Sequence, residues 1–517
     1  METRSSIEIS ATPKADELWS GIGGHFDSLG QIINEFIDNS VSNFDANSNN
    51  LTQKCILVSL LQQSDKTVKV TIEDTGTGIK DLDAAFTLGC KSAAESPLNE
   101  HGFGLKHALA SADPENVNWS ICTRTSDDLE SGIFKRIKAP YQFTNFRAEI
   151  TDCSQWDGVY STTGTIVTFT CSYDMYNTLA RGIKGGLRDF KSIAALLYED
   201  IGFYYAGVIS SGRASIALRV IPIDQQNIGG TLYQIGAITP DIRNYIEPGT
   251  GTVDIDLGGG LVRINYTFCQ INKKEDNENY DFTSSKTKRY YKHSMSSSGV
   301  EIRINGRVLC NNLFKEVWNT EKHNSYNSLL VILDLQGLST NNNGMLPRTR
   351  TSKNGFREGD PCLEKLFGWL RGMLNDPPHD SQLAKHKTDL FKDLARLKEQ
   401  FNPDPNKVIK TEMTVFNSTG NASDKVRIDL YEVTMGQIYV YEGKKEVTTS
   451  KDVYQLRMYW DGLICDGISP YQGILVAKYH PNSVLQMLDI VNNMYDYRGN
   501  KYNFVARTWS DLGINCY

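Results

Sequence analysis

The chain has 517 residues, a formal net charge of −7, and 40% hydrophobic and 22% charged residues. That composition excludes disordered and fibrous classes and provides for about three or four globular domains. The acidic balance argues against a protein that coats nucleic acid by bulk charge, but leaves room for a local basic groove. No stretch approaches the ~18 apolar residues of a membrane span, and METRSSIEIS lacks the apolar core of a signal peptide. The ten cysteines form no CxxC pair and no Cys/His cluster. The expectation is a cytoplasmic protein with reduced thiols and no membrane partner.

In chain order, residues 20–44 predict a helix after a Gly-rich lead-in, with Ile33, Phe36 and Ile37 as its apolar stripe. TVKVTIE (67–73) alternates as a strand and runs into the turn DTGTG. GTIVTFT (164–170) predicts another strand. The stretch from 175 to 375 mixes helices with strands such as EIRINGRVL (301–309) and SLLVILDLQ (328–336). LNDPPHDSQ (374–382) reads as a turn or linker, followed by a charged helix over 383–401. NPDPNK (402–407) stops that helix, because its prolines cannot continue it. The tail predicts strands at 425–433 and 436–444, a helix near 451–461 and a strand at 473–479.

Four segments carry nucleotide chemistry. Glu35, Asp38 and Asn39 share one face of the first long helix; the carboxylate suits a water-activating base and the amide oxygen suits Mg²⁺. Asp74 ends a strand, where a carboxylate can accept the exocyclic amine of adenine, and Gly76 and Gly78 let backbone approach a ligand closely. Asn99 to Lys106 reads as a loop with Gly102 and Gly104 that runs into a helix whose first N–H groups can hold phosphates. Thr165 heads a further strand.

This ordered set resembles the GHKL ATPase superfamily of gyrase B, MutL, the large heat-shock chaperones, histidine kinases and MORC proteins. The resemblance implies an ATP-binding Bergerat sandwich with Glu35 as general base, Asn39 as Mg²⁺ ligand and Asp74 as adenine reader. It further implies that Asp38 and Lys106 line the nucleotide site, that Gly76, Gly78, Gly102 and Gly104 shape pocket and lid, and that Thr165 supports the adenine through a water. The lid departs from the family's GxxGxG at its first position, Asn99. Phe86–Ser92 and the block from Gly344 to Phe356 look most like MORC-type sequences, with Lys353 as the transducer lysine that would reach the γ-phosphate.

Near the C-terminus, Glu442 and Lys444 are two apart on a strand and a hairpin would bring Asp429 beside them. Two carboxylates with an ammonium suit Mg²⁺-dependent phosphodiester hydrolysis, with Asp429 and Glu442 as metal ligands. With Gln455 and Tyr459 one helical turn apart downstream, the set resembles the PD-(D/E)xK nuclease fold of the RecB-like QxxxY variety. An additional Glu on the first helix is common there; Glu399 and Glu412 both qualify. Lys286, Lys288, Arg289, Tyr290, Tyr291 and Lys292 are candidates for contacting a phosphate backbone.

The expected architecture is α/β (α+β): a GHKL ATPase domain over 1–175, a transducer-like domain over 176–375, a linker and charged helix over 376–407, and a restriction-endonuclease-like domain over 408–517. The expected function is an ATP-gated, Mg²⁺-dependent DNA nuclease that dimerises on ATP. A role in restriction or antiphage defence, with a possible partner protein from the same defence system, follows by analogy. The alternatives are a DNA clamp that does not cut and a chaperone-like conformational ATPase.

Overall fold

The computed structural model describes residues 15–514 apart from 65, 91–101, 143–145, 187–188, 338–345, 351–354, 376, 378–386, 402–403 and 418–425. The fold is of the α+β class, and the chain divides into two compact units, Met1–Pro377 and Pro378–Tyr517.

The first unit opens with α1 (Ala15–Ile22) and α2 (Leu29–Ala46). The Gly-rich segment expected to lead into one helix separates two. Ser28 caps α2 by accepting from the Gln31 N–H, and a side chain at Gly23 would lie 2.7 Å from the Ala110 carbonyl oxygen. The first sheet comprises β1 (Cys55–Gln62), β2 (Thr67–Asp74), β3 (Trp119–Arg124), β4 (Ile133–Lys138), β5 (Glu149–Asp152), β6 (Gly164–Ser172), β7 (Ser215–Ile221) and β8 (Thr231–Gln234). Their order is β5-β4-β3-β6-β2-β1-β7-β8. Along β2, Val68, Val70 and Ile72 point inward, as strand alternation requires. They pack with Ile33 and Ile37 of α2, with Leu109 of α3 (Gly104–Ala112), and with Leu197 of α4 (Phe190–Tyr204).

The boundary expected at 175 falls inside this layer. β7 pairs with β1 in parallel, Cys55 opposite Ser215, so the sheet runs on to Gln234. A parallel pair needs a crossover, supplied by the chain through α4, and such a pairing leaves no local mark in the sequence.

A second sheet follows, in the order β14-β13-β15-β10-β9. It is built from β9 (Ile242–Asp256), β10 (Leu261–Ile271), β13 (Gly299–Ile304), β14 (Arg307–Leu313) and β15 (Leu329–Gly337). The short strands β11 (Glu275–Asp276) and β12 (Lys286–Thr287) pair apart from it. EIRINGRVL, read above as one strand, is a hairpin: Asn305 and Gly306 both take positive φ (49° and 77°), the requirement of a tight two-residue turn. α5 (Pro361–Met373) buries Leu366, Phe367 and Leu370 against this sheet.

The second unit is a five-stranded sheet between helices. It contains α6 (Lys387–Phe401), β16 (Val408–Val415), β17 (Val426–Thr434), β18 (Gln437–Gly443), α7 (Ser450–Cys465), β19 (Gln472–Ala477), α8 (Asn482–Asn492) and β20 (Phe504–Thr508), with the strands in sequence order. The charged helix is a structural layer of this unit rather than part of a linker. Its Leu390, Phe391 and Leu394 pack on Leu430, Tyr441, Val476 and Trp509. The opposite core joins Val440 and Leu475 to Val453, Leu456 and Tyr459 of α7 and Val484 of α8. Gly443 permits the α6 packing: a Cβ there would lie 2.8 Å from the Phe391 ring.

Candidate functional sites

In the first unit a cavity of about 620 Å³ is lined by Asn39, Ser40 and Asn43 of α2, by Asp74, Thr77 and Gly78, by Gly102, Gly104 and Lys106, and by Thr165. All four sequence segments therefore meet. Asp74 lies directly opposite Thr165 in the β2/β6 ladder. Its Oδ2 accepts from the Ser40 hydroxyl (2.8 Å) and its Oδ1 from the Gly76 N–H (2.8 Å). Burial pushes its carboxyl up to about 6, and these two hydrogen bonds only partly offset that. The Thr165 and Thr123 hydroxyls are 3.2 Å apart. Gly78 has φ 74°, and a Cβ there would lie 2.4 Å from the Arg124 carbonyl oxygen, so only glycine fits.

Glu35 is 3% exposed, and the start of α3 lies against it: a Cβ on Gly104 would fall 1.7 Å from Glu35 Oε1. The carboxylate thus faces bare helix N-terminal backbone, where the helix dipole favours negative charge.

Two residues expected at the nucleotide are engaged elsewhere. Asp38 is fully buried and turned from the cavity; Arg307 Nε donates to its Oδ1 (3.1 Å) and the Tyr205 hydroxyl lies 2.8 Å from the same oxygen. Arg307 comes from β14, so Asp38 ties α2 to the second sheet. Helical spacing puts Asp38 on the face of Glu35 and Asn39, but the charge that captures it lies 269 residues away. Lys106 reaches the cavity wall, but its ammonium donates to the carbonyls of Ala85 (2.9 Å), Thr87 (3.1 Å) and Gly102 (2.7 Å). Burial lowers it to about 8. It ties Ala85 and Thr87 to Gly102 rather than reaching into the cavity. Asn99 and Lys353 lie outside the described residues.

Ser40 and Asn43 were missed. Asn43 clamps Thr77, accepting from its N–H (2.9 Å) and donating to its hydroxyl (3.0 Å). For Asn43 the available signal was its place four residues on from Asn39 along α2; Ser40, adjacent to Asn39, carried no such signal.

Asp38→Ala is expected to destabilise the first unit by about 3–5 kcal/mol, because it leaves the Arg307 guanidinium buried without its counter-charge. Denaturant unfolding followed on that unit checks it, and Asp38→Ala combined with Arg307→Met should recover part of the loss.

The proposed phosphate-contacting segment 286–292 is largely internal. Tyr290 stacks on Phe203 with centroids 3.7 Å apart, Arg289 pairs with Asp200 at 2.9 Å, and Tyr291 donates to buried Glu301 (3.0 Å). Lys292 donates to the Lys274 and Thr287 carbonyls. Three buried carboxylates, Glu199, Asp200 and Glu301, take up this segment, which composition alone does not reveal.

In the second unit, β17 and β18 place Leu430 opposite Tyr441, so Asp429 and Glu442 are the next pair along. The Glu442 side chain is 0% exposed and that of Asp429 15%. Burial, then the neighbouring Asp429 carboxylate, raises Glu442 above the usual carboxylate range. Lys444 lies 3.3 Å from Glu442 Oε1 and 3.2 Å from Asp452 Oδ1. Lys387, at the start of α6, lies 2.7 Å from Asp429 Oδ2 and 3.7 Å from Glu442 Oε1. Gln455 donates to the Tyr459 hydroxyl (2.7 Å), and that tyrosine is held protonated by burial and by Glu442 and Asp429 beside it.

The five predicted residues therefore converge, while Lys387 and Asp452 were not foreseen. Glu399 and Glu412 are both exposed, and Glu412 pairs with Arg427. His480 is structural, its ring nitrogens 2.9 Å from the Thr448 hydroxyl and from the Arg507 carbonyl oxygen.

The donor set suits a hard cation: two close carboxylates, Glu442 Oε2 buried without a hydrogen bond, and an ammonium already drawn between them. Among the described residues no three His, Cys, Asp or Glu side chains form a metal cluster. An ion here would complete its shell with water and substrate oxygens, as Mg²⁺ commonly does. Among the described residues no helix is long and apolar enough to cross a membrane.

No protein-family model matches the chain, and no curated protein matches it. Among solved structures, the crystal structure of the N-terminal domain of a DNA repair protein is similar at 14% identity and a TM-score of 0.38, over 70% of this chain and 97% of that chain.

Proposed function

We propose that the chain is an ATP-dependent, Mg²⁺-dependent DNA nuclease, with a GHKL-type ATP site in the first unit and a PD-(D/E)xK-type site in the second. The observation that carries the reading is the convergence of Asp429, Glu442 and Lys444 with the Gln455–Tyr459 pair behind them. Asp429 and Glu442 would hold Mg²⁺, which supplies a water nucleophile and offsets phosphate charge. Lys444 orients that water and stabilises the charge that develops on the phosphate. Tyr459 and Gln455 fix Glu442 from behind.

In the first unit ATP is the substrate. Asp74 accepts from the adenine amine, Asn39 offers an amide oxygen to the phosphate-bound cation, and Glu35 takes a proton from the attacking water at the N-terminus of α3. Asp38 and Arg307 would pass the state of α2 to the second sheet. ATP-driven dimerisation and a role in restriction or antiphage defence complete the proposal.

Cleavage of linear, circular and single-stranded DNA with Mg²⁺, with and without ATP, tests it. Cleavage that needs ATP supports the reading. Failure to cut any of them, alongside DNA-stimulated ATP hydrolysis, points to a clamp.

The Asp74 reading has a pH signature. The ionised carboxylate is the better acceptor, so adenosine affinity should hold above pH about 6 and fall towards tenfold per unit below it. Adenosine itself does not titrate in that window. A flat profile from pH 5 to 7.5 would remove Asp74 from the site.

A further inference from the structure

We propose that Lys387 is an internal counter-cation that competes with the divalent metal for Asp429 and Glu442, so that metal uptake is an exchange of one cation for another. The inference rests on the reading of this pair as a metal site and adds a residue to it.

Two lysines border the pair, and their surroundings assign them different parts. Lys444 is held between Glu442 and a carboxylate outside the pair, Asp452. Asp452 is itself fixed, accepting from the N–H and hydroxyl of Thr449 (2.7 and 3.0 Å). Lys444 can therefore stay in place when a metal arrives. Among the described residues Lys387 has carboxylate contacts to the pair alone, at 2.7 and 3.7 Å. A cation coordinated by both carboxylates would sit ~2.0–2.1 Å from their oxygens, in the space the Lys387 ammonium takes up.

Ammonium and divalent ion cannot share that space, because like charges a few ångströms apart in a partly buried site repel strongly. Lys387 is the group free to leave: Lys444 is slightly the more exposed (38% against 32%) but is tied to Asp452, whereas Lys387 ends a flexible four-carbon stem whose charge can turn to water. Glu442 cannot move out, being fully buried on β18. With no metal, Lys387 is what makes two adjacent buried carboxylates tolerable. With metal, it is displaced to the rim of the site.

The probe is Mn²⁺ alone, titrated into the nucleotide-free, full-length protein and followed by the loss of the free-ion electron paramagnetic resonance signal. Lys387→Met should bind Mn²⁺ roughly tenfold more tightly than wild type, since no internal cation has to be displaced. Lys387→Arg should bind like wild type. Metal should also raise the unfolding temperature of Lys387→Met more than that of wild type. Glu442→Gln should remove the site in either background. If Lys387→Met misfolds, Lys387→Gln replaces it with the same expectation.

Equal or weaker Mn²⁺ binding by the neutral variants, with wild type binding normally, overturns the exchange and leaves the metal-site reading standing. Lost cleavage at unchanged Mn²⁺ affinity also overturns it, placing Lys387 on the substrate instead. Absence of Glu442-dependent Mn²⁺ binding in wild type and variants alike overturns the metal-site reading, and this inference with it.

Discussion

Lys444→Ala is expected to lower Mg²⁺-dependent DNA cleavage by about a thousandfold while leaving Mn²⁺ binding largely intact. Removing one group aimed at the charge developed in a transition state costs a factor of that order. The split between cleavage and metal binding follows from the geometry. Lys444 touches Glu442 and Asp452, whereas Asp429 and Glu442 provide the carboxylate oxygens. Glu442→Gln should therefore lose both cleavage and metal binding. Circular dichroism controls for folding, because Lys444→Ala leaves Glu442 and Asp452 with less positive charge nearby. Normal cleavage by Lys444→Ala would place the cutting chemistry outside this site and sink the reading of Asp429, Glu442 and Lys444 as the nuclease centre.

Glu35→Ala should abolish ATP hydrolysis, by about 10²–10⁴-fold, while ATP still binds. Asn39, Asp74 and Thr165 line the cavity, whereas Glu35 lines a second cavity with Asn34 and Asp38 and lies against the start of α3. A fluorescent ATP analogue and a phosphate-release assay separate binding from turnover. The same variant decides how ATP serves cleavage. If Glu35→Ala still cuts when ATP is present, binding suffices; if it does not, each cut needs hydrolysis. Loss of ATP binding together with turnover would make Glu35 a structural support of α3.

The parts of the sites legible beforehand depend on short-range geometry. Glu442 and Lys444 are two apart at a strand end and Gln455 and Tyr459 one helical turn apart, and both pairs meet as those periods require; Glu35 and Asn39 are also one turn apart on α2 but open on different cavities. The α+β class and the β17–β18 hairpin followed in the same way. Asn305-Gly306 carried a turn signal within that range that was read through as strand.

What only the tertiary structure decided is where charges find their partners. Asp38 shares a helix with Glu35 and Asn39, and only the arrival of β14 shows that Arg307 has taken it. Lys106 looks like a phosphate ligand until the three carbonyls around it are seen, and segment 286–292 looks like a nucleic-acid surface until buried acids surround it. Lys387 carries no motif at all; its part comes from α6 packing across the sheet so that its first residue meets Asp429. By itself the sequence determined which chemical groups are present and which local periods bring them together. The pairing of buried charges is set by desolvation between residues distant in the chain, and only the packed fold specifies it.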